Sequence, residues 1–410
     1  MKKNALSPDF WANFAKSNWE KKPLVARDFN SPLQKIDEAQ IFLMLVRYSD
    51  HCRKMKTADG FKFYVDGQRL HESEVLQFLP AKSDSSLKNY HLRMEEIFSD
   101  YCLVCDELLQ VSQPHWKELK NFTQSLFSAV GFPNRFVEIG LYLGNYRKTP
   151  FGVHVDGCGV FSFPVLGKKV FRLWKPEFAE KNPSLNRSQS YAKFKKFSQT
   201  LTAGPGDMVY WPSSAWHIAE SNGSFSATWS LGVWVDRTHQ QNIESALAPL
   251  LKMQLGSSGA ATAVTSSPVL KSGQIRQLPK NYSNSISVIK KLSKNDLHDA
   301  FMRSWITLQS TDGFKSNPEV KVKKLISMSS KLQITDSKKI LWCHLKTGTK
   351  TLLAYQGTLV ETEASHQLLK LIEDLNLEKY CAVSDYLSGP SKKRDLNALK
   401  NLSAAGAFNP

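Results

Sequence analysis

The sequence predicts an α+β chain with an antiparallel β-sandwich or barrel at its centre and helical regions before and after it. Two observations carry this. Between Arg135 and Val235, short runs rich in β-branched and aromatic residues follow one another with turn residues between them and no long helical pattern, as closely spaced antiparallel strands do. Before and after that stretch, apolar residues recur at helical spacing. The chain has 410 residues, of which 41% are hydrophobic and 22% charged. This is ordinary globular usage, with length enough for two or three domains that need no disulfide or metal staple.

Taken in order, Phe10, Trp11, Phe14, Trp19 and Pro23 form an aromatic opening with helical spacing that packs onto the next layer. From Glu38 to about Phe132 the pattern is mostly helical, as in Ala39 to Val46 and Trp116 to Val130, with a strand and turn at Phe61 to Gly67. Strands are expected at Val137 to Leu143, Gly152 to Asp156, Val160 to Val165, Val170 to Trp174, Met208 to Trp211 and Thr228 to Val235. Pro176 to Thr200, rich in Lys, Asn and Ser, reads as a loop or lid. Gly256 to Gly273 has the small-residue composition of a flexible connector. Beyond it, helices are expected at Ser285 to Trp305 and Val320 to Met328, paired strands at Ile340 to Leu345 and Thr351 to Tyr355, and helices at Ala364 to Leu375 and Leu396 to Ala404. The resulting domains are 1–132, mostly helical; 133–250, the β core; 251–280, a linker; 281–335, helical; and 336–410, a small C-terminal unit.

Several function classes fall away. The longest aliphatic run, Ile41 to Val46, is far shorter than a bilayer span, so no membrane partner is expected. The N-terminus starts basic but runs into Ser7, Pro8 and Asp9 with no apolar stretch, so a cytoplasmic location is expected rather than secretion. Six scattered cysteines make no disulfide framework, and Cys102 and Cys105, the only C-x-x-C, read as helical neighbours without a second pair for zinc. Fifty-four Lys and Arg against 37 Asp and Glu leave a net charge of +17. That excess favours anionic partners without specifying any.

The most informative string is Thr149-Pro150-Phe151-Gly152-Val153-His154-Val155-Asp156-Gly157. If His154 to Asp156 is extended, side chains at i and i+2 leave one face, and imidazole and carboxylate converge. A third ligand is available from His217, which follows Gly204-Pro205-Gly206-Asp207-Met208-Val209-Tyr210-Trp211-Pro212. Two His and one carboxylate on one face of a metal leave the opposite positions open, which suits non-haem Fe(II) binding a cosubstrate and O₂. An H-x-D pair alone is common; the strand context, the Gly-Pro-Gly-Asp turn and the later Trp216-His217 are what single it out.

These residues resemble the JmjC-type, cupin-fold Fe(II)/2-oxoglutarate oxygenases, and within them the ribosomal-oxygenase-like proteins. The likeness runs through Phe10-Trp11 to Lys21-Lys22-Pro23-Leu24, the H-x-D, the Gly167-to-Trp174 strand, the Pro205-to-Pro212 turn and the Leu399-to-Phe408 tail. It implies a double-stranded β-helix (jelly-roll) core with N-terminal helices, a helical dimerisation segment around Ile286 to Ser330 and a C-terminal winged-helix-like unit. It implies His154, Asp156 and His217 as the iron ligands and catalytic centre, Lys169 pairing with the distal carboxylate of 2-oxoglutarate, and Tyr142 as a second donor to it. Periodicity alone does not choose Lys169 over Lys168. Ser230 and Thr228 are expected to add a hydroxyl to the cosubstrate pocket, and Asn145 or Trp234 to line it. Pro212-Ser213-Ser214 departs from the usual Pro-Pro-Gly before the third ligand, which bears on the loop and its substrate contacts.

The implied reaction hydroxylates a side chain in a protein or peptide, a ribosomal protein or a ribosomally made precursor peptide, with Fe(II), 2-oxoglutarate and O₂. Demethylation of N-methyl-lysine uses the same centre. A different class is a nucleic-acid-binding regulator working through the C-terminal unit and Lys392-Lys393-Arg394; a third is a cupin metalloprotein without 2-oxoglutarate, against which Lys169 argues. The expected partners are a protein or peptide substrate, a ribosomal or other anionic particle, and a second copy of the chain.

Overall fold

The computed structural model describes residues 8–221, 223–255, 278, 280–318, 325–334 and 338–408. It divides into two compact units, Met1–Asp236 with Asp312–Glu319, and Arg237–Thr311 with Val320–Pro410.

The first unit opens on helix α1 (Pro8–Ser17) and strand β1 (Leu24–Ala26). Helix α2 (Glu38–Met55) starts at a reciprocal cap in which Gln40 N donates to the Asp37 carboxylate (2.8 Å) and Asp37 N to Gln40 Oε1 (3.0 Å). Strands β2 (Phe61–Val65) and β3 (Gln68–Arg69), helices α3 (Glu72–Phe78) and α4 (Leu87–Glu95), strand β4 (Tyr101–Asp106) and helix α5 (Gln113–Val130) complete the N-terminal part. Then come β5 (Phe136–Gly144), β6 (Cys158–Leu166), β7 (Lys169–Trp174), α6 (Pro176–Lys181), β8 (Gln199–Ala203), β9 (Met208–Trp211), β10 (Trp216–Glu220) and β11 (Ser226–Trp234).

Two antiparallel sheets form. The larger has the order β1-β9-β6-β11-β5-β4-β2-β3, and the smaller β10-β7-β8. Sequence neighbours are seldom sheet neighbours, as in a jelly roll. Against the larger sheet pack the opening aromatics: Trp11 is edge-on to Phe122 of α5 (5.4 Å), and Phe14 to Tyr210 of β9 (4.7 Å). The expected packing of that segment is therefore present. Segment 312–319 joins the same unit through backbone bonds from Val137 N to Gly313 O (2.7 Å) and Lys315 N to Val137 O (2.9 Å).

Three local expectations in the first unit are corrected. Cys102 and Cys105 lie on strand β4, not on a helix, and both are buried. Flanked by Tyr101, Leu103 and Val104, they belong to a continuous apolar run that fills a central strand, whose periodicity is easily taken for a buried helix. Gly152 to Asp156 is not a regular strand either; it contributes one isolated antiparallel bridge, His154 to His217. The Pro176-to-Thr200 stretch is more ordered than a loop, holding α6 and two 3₁₀ turns.

In the second unit, α7 (His239–Leu255), α8 (Lys280–Lys290) and α9 (Lys294–Ser310) precede β12 (Lys331–Leu332), β13 (Leu341–His344), β14 (Thr351–Tyr355), β15 (Thr358–Thr362), α10 (His366–Asn376), β16 (Cys381–Ala382), α11 (Val383–Tyr386) and α12 (Lys392–Ala404). The expected strand pair is β13–β14, extended by β15 into an antiparallel sheet. Helix α12 turns Ala398, Leu399 and Leu402 into the core. Most of the expected connector and residues 320–324 of the helix expected at Val320 to Met328 lie outside the described residues; 325–328 are not helical.

Candidate metal centre

A cavity of about 280 Å³ lies between the two sheets of the first unit. The larger sheet lines it with Tyr142, Ser162, Trp211, Thr228 and Ser230, the smaller with Lys169, Phe171, His217 and Ala219.

His154, Asp156 and His217 meet at its mouth. Their ligand atoms all lie within 4.8 Å of one another. His154 Nε2 is 3.6 Å from Asp156 Oδ1, and His217 Nε2 is 3.4 Å from Asp156 Oδ2. The pairing that brings the histidines together is made by backbone: His154 N donates to His217 O (3.0 Å) and His217 N to His154 O (2.7 Å). Each ring is then oriented by a carbonyl, Nδ1 of His154 by Gly152 O (2.9 Å) and Nδ1 of His217 by Ala215 O (3.1 Å). A carbonyl only accepts, so each Nδ1 carries a proton and Nε2 of each ring is the atom that faces Asp156. Burial, with His154 adding to it and Asp156 opposing, lowers the His217 pKa to about 4, so this ring is neutral at pH 7. Two imidazoles, each with an outer partner, and one carboxylate are the donor set of an open-faced divalent metal site.

Deeper in the cavity, Lys169 is 1% exposed and its Nζ has no hydrogen-bond partner among the described residues. Lys168 is exposed. The Lys169 ammonium lies 3.7 Å from the centre of the Tyr146 ring, a cation–π contact that offsets only part of the cost of burial. Burial lowers its pKa to about 7, with Cys102 opposing. Cys102 itself is no counter-ion, because burial pushes that thiol up to about 12. A buried ammonium without an anion calls for one. Tyr142, whose phenol is kept protonated by burial, lines the same cavity and is a donor. Thr228 Oγ1 is buried and likewise has no partner among the described residues. The residues present thus fit both a metal and a small anion beside it.

Asn145 and Trp234 are elsewhere. The Asn145 amide caps β4, accepting from Tyr101 N (2.9 Å) and donating to Ser99 O (3.3 Å); Trp234 lies against Phe136 and beneath the Arg135 guanidinium. Neither lines the cavity. Asn145 lies just past the end of β5, and Trp234, on the same face of β11 as Thr228 and Ser230 by alternation, stands at the far end of that strand.

Sequence reading missed Tyr146, Phe151, Trp211 and Arg187 in the lining. Arg187 comes from the Pro176-to-Thr200 segment, held to the ligand loop by Arg187 N to Val153 O (2.7 Å) and Val153 N to Ser188 O (3.1 Å). Gly152, at φ +71°, permits this approach: a Cβ there would stand 2.5 Å from Arg187 O. The same segment is anchored to β10 by Glu220, which accepts from Tyr191 Oη (2.6 Å), Lys195 Nζ (2.8 Å) and Arg172 Nε (2.7 Å). No local motif marks these contacts.

Residues 113–242 match the family model described as the JmjC domain. Over 152 residues the chain is 26% identical to HSPB1-associated protein 1 of Bos taurus, a match covering 32% of this chain and 31% of that relative's length. The fold is that of E. coli YcfD, at TM-score 0.52 and 13% identity with 97% of each chain covered. A second structure of that protein, described as a ribosomal oxygenase in complex with cobalt and 2-oxoglutarate, aligns at TM-score 0.51, 13% identity and the same coverage.

Proposed function

We propose that this JmjC-domain chain is an Fe(II)- and 2-oxoglutarate-dependent oxygenase that hydroxylates a side chain of a protein or peptide, a ribosomal protein foremost. One observation carries the reading: a His-Asp-His cluster and a buried ammonium that has no counter-ion among the described residues share one cavity. The description of E. coli YcfD, which shares this fold, as a ribosomal oxygenase bound to cobalt and 2-oxoglutarate supports both the cofactor and the substrate class.

In this reading His154, Asp156 and His217 hold the iron. Bound iron with 2-oxoglutarate and O₂ supplies the oxidising power that puts one oxygen atom into a C–H bond and releases succinate and CO₂. The chain's own residues bind, orient and shield. Lys169 takes the distal carboxylate as a charged donor, regaining the proton that burial makes it lose, and the Tyr142 hydroxyl donates beside it. Ser230 and Thr228 offer hydroxyls along the same wall. Phe151, Phe171 and Trp211 exclude water, while exposed Val155 and Arg187 face the incoming substrate.

The chain is proposed to act in the cytoplasm as a homodimer. Support for self-association comes from apolar side chains left exposed on α8 and α9, among them Ile286, Ile289 and Phe301. The sheet β13–β15 with α10 and α12 is read as the winged-helix-like unit.

The test is succinate formation from 2-oxoglutarate by the Fe(II)-loaded protein, followed by mass spectrometry of ribosomal proteins treated with it. Substrate-stimulated succinate and a +16 Da peptide are expected. Loss of a methyl group instead would favour the demethylase, and absence of any succinate would overturn the oxygenase.

A further inference from the structure

We infer that Glu20 is a positioning residue for the metal centre, acting on His217 through the turn before it. The inference rests on the metal reading above.

Glu20 follows α1 in left-handed backbone, at φ +49°, an uncommon conformation for a glutamate. What holds it there is β9 and the turn that leaves it. Glu20 N donates to Tyr210 Oη (2.8 Å), and that hydroxyl donates back to Glu20 Oε1 (3.1 Å). The carboxylate then accepts from Ser213 N, at 3.2 Å to Oε2, and from the Ser213 hydroxyl. Gly159 makes the space: a Cβ there would lie 2.7 Å from Glu20 Oε1 and 3.1 Å from the Trp19 ring.

Ser213 belongs to the Pro212–Ala215 turn, closed by Ala215 N to Pro212 O (3.0 Å). The Ala215 carbonyl is the group that orients His217 through Nδ1 (3.1 Å). An unbroken path therefore runs from the N-terminal arm to the third ligand. It passes through the serine at which the chain departs from Pro-Pro-Gly. A proline there would offer no N–H; this chain has a donor pair at Ser213 and a carboxylate that satisfies both. Fixing the turn fixes the carbonyl, and the carbonyl fixes the tautomer that points Nε2 at the metal.

The test titrates Co(II) into the full-length protein by calorimetry and reads the His217 imidazole ¹⁵N shifts in metal-free protein. Wild type that binds no Co(II) overturns the metal reading and this inference with it. Given wild-type binding, Glu20→Ala should weaken Co(II) affinity about tenfold, the lower end for loss of an outer partner, and shift His217 away from a single Nδ1-protonated tautomer. Glu20→Gln, which keeps an oxygen acceptor, should recover part of the loss. Should Glu20→Ala fail to fold, Ser213→Ala is read instead, with a weaker Co(II) affinity expected. A purely structural role would lower thermal stability only. Unchanged Co(II) affinity and unchanged ¹⁵N shifts in the folded variant would overturn the inference.

Discussion

His154 and His217 exchange both of their backbone hydrogen bonds, at 3.0 and 2.7 Å, and their rings stand 4.3 Å apart. Neither imidazole is needed for that pairing, so the site's geometry is set by main chain and its chemistry by side chains.

Removing a ligand should therefore spare the fold. His154→Ala and Asp156→Ala are expected to lose metal-dependent succinate formation by at least about a hundredfold, in keeping with lost ligation. Their far-UV circular dichroism should match wild type. Metal content after dialysis against Fe(II) or Co(II) checks the first statement; near-stoichiometric metal in Asp156→Ala would contradict it.

Lys169 couples cosubstrate binding to protons. Its pKa is lowered by burial to about 7, so above that pH the free site holds it largely neutral, and a dicarboxylate that favours the charged form must draw a proton in. Calorimetry at pH 8 in buffers of differing ionisation enthalpy should record proton uptake on 2-oxoglutarate binding. Affinity should fall as pH rises above about 7, and Lys169→Met should bind at least about tenfold more weakly, an ionic hydrogen bond being worth about 1.5–3 kcal/mol. Equal affinity in that variant would remove Lys169 from the site.

Glu107 gives the fold a pH signature. Burial raises its pKa from 4.5 to about 7, against hydrogen bonds from Ser316 and Ile139 that lower it. The folded state keeps a proton that the unfolded chain has released, so this contribution is full below pH 4.5 and lost as pH rises through about 7. Glu107→Gln, which keeps an acceptor oxygen, should lose less thermal stability than wild type between pH 5 and 8. Parallel melting curves across that range would show that the carboxyl is not held protonated.

The Glu220 anchor is expected to govern substrate access rather than metal binding. Glu220→Ala removes the acceptor shared by Tyr191, Arg172 and Lys195; a loss of about 1–3 kcal/mol follows from hydrogen bonds to a charged group. Limited proteolysis should open first within 176–198, with Co(II) affinity unchanged. Resistance equal to wild type would mean the segment is held by its apolar contacts alone.

Self-association is checked by sedimentation. Ile289→Asp, on the exposed face of α8, should shift the full chain toward the monomer; a wild-type protein already monomeric at micromolar concentration would exclude the dimer.

His154, Asp156 and His217 were legible because their types and the turn before His217 are local signals, and the surrounding strands were legible from alternating apolar runs. The choice of Lys169 over Lys168, the exclusion of Asn145 and Trp234 from the cavity, and the strand rather than helix at Cys102 and Cys105 were not. Each depends on how distant strands pair and on where along the sheets the cavity falls. Tyr146, Arg187 and Glu20 lay further out of reach, and the bond from Ser213 to Glu20 spans 193 residues. Which donors exist, and which segments can be extended or helical, follow from side-chain chemistry and short-range periodicity and so are written in the order of residues. Which groups share a cavity is settled by folding, since a sheet that pairs distant strands sets each residue's surroundings by register, and register is a property of two segments at once.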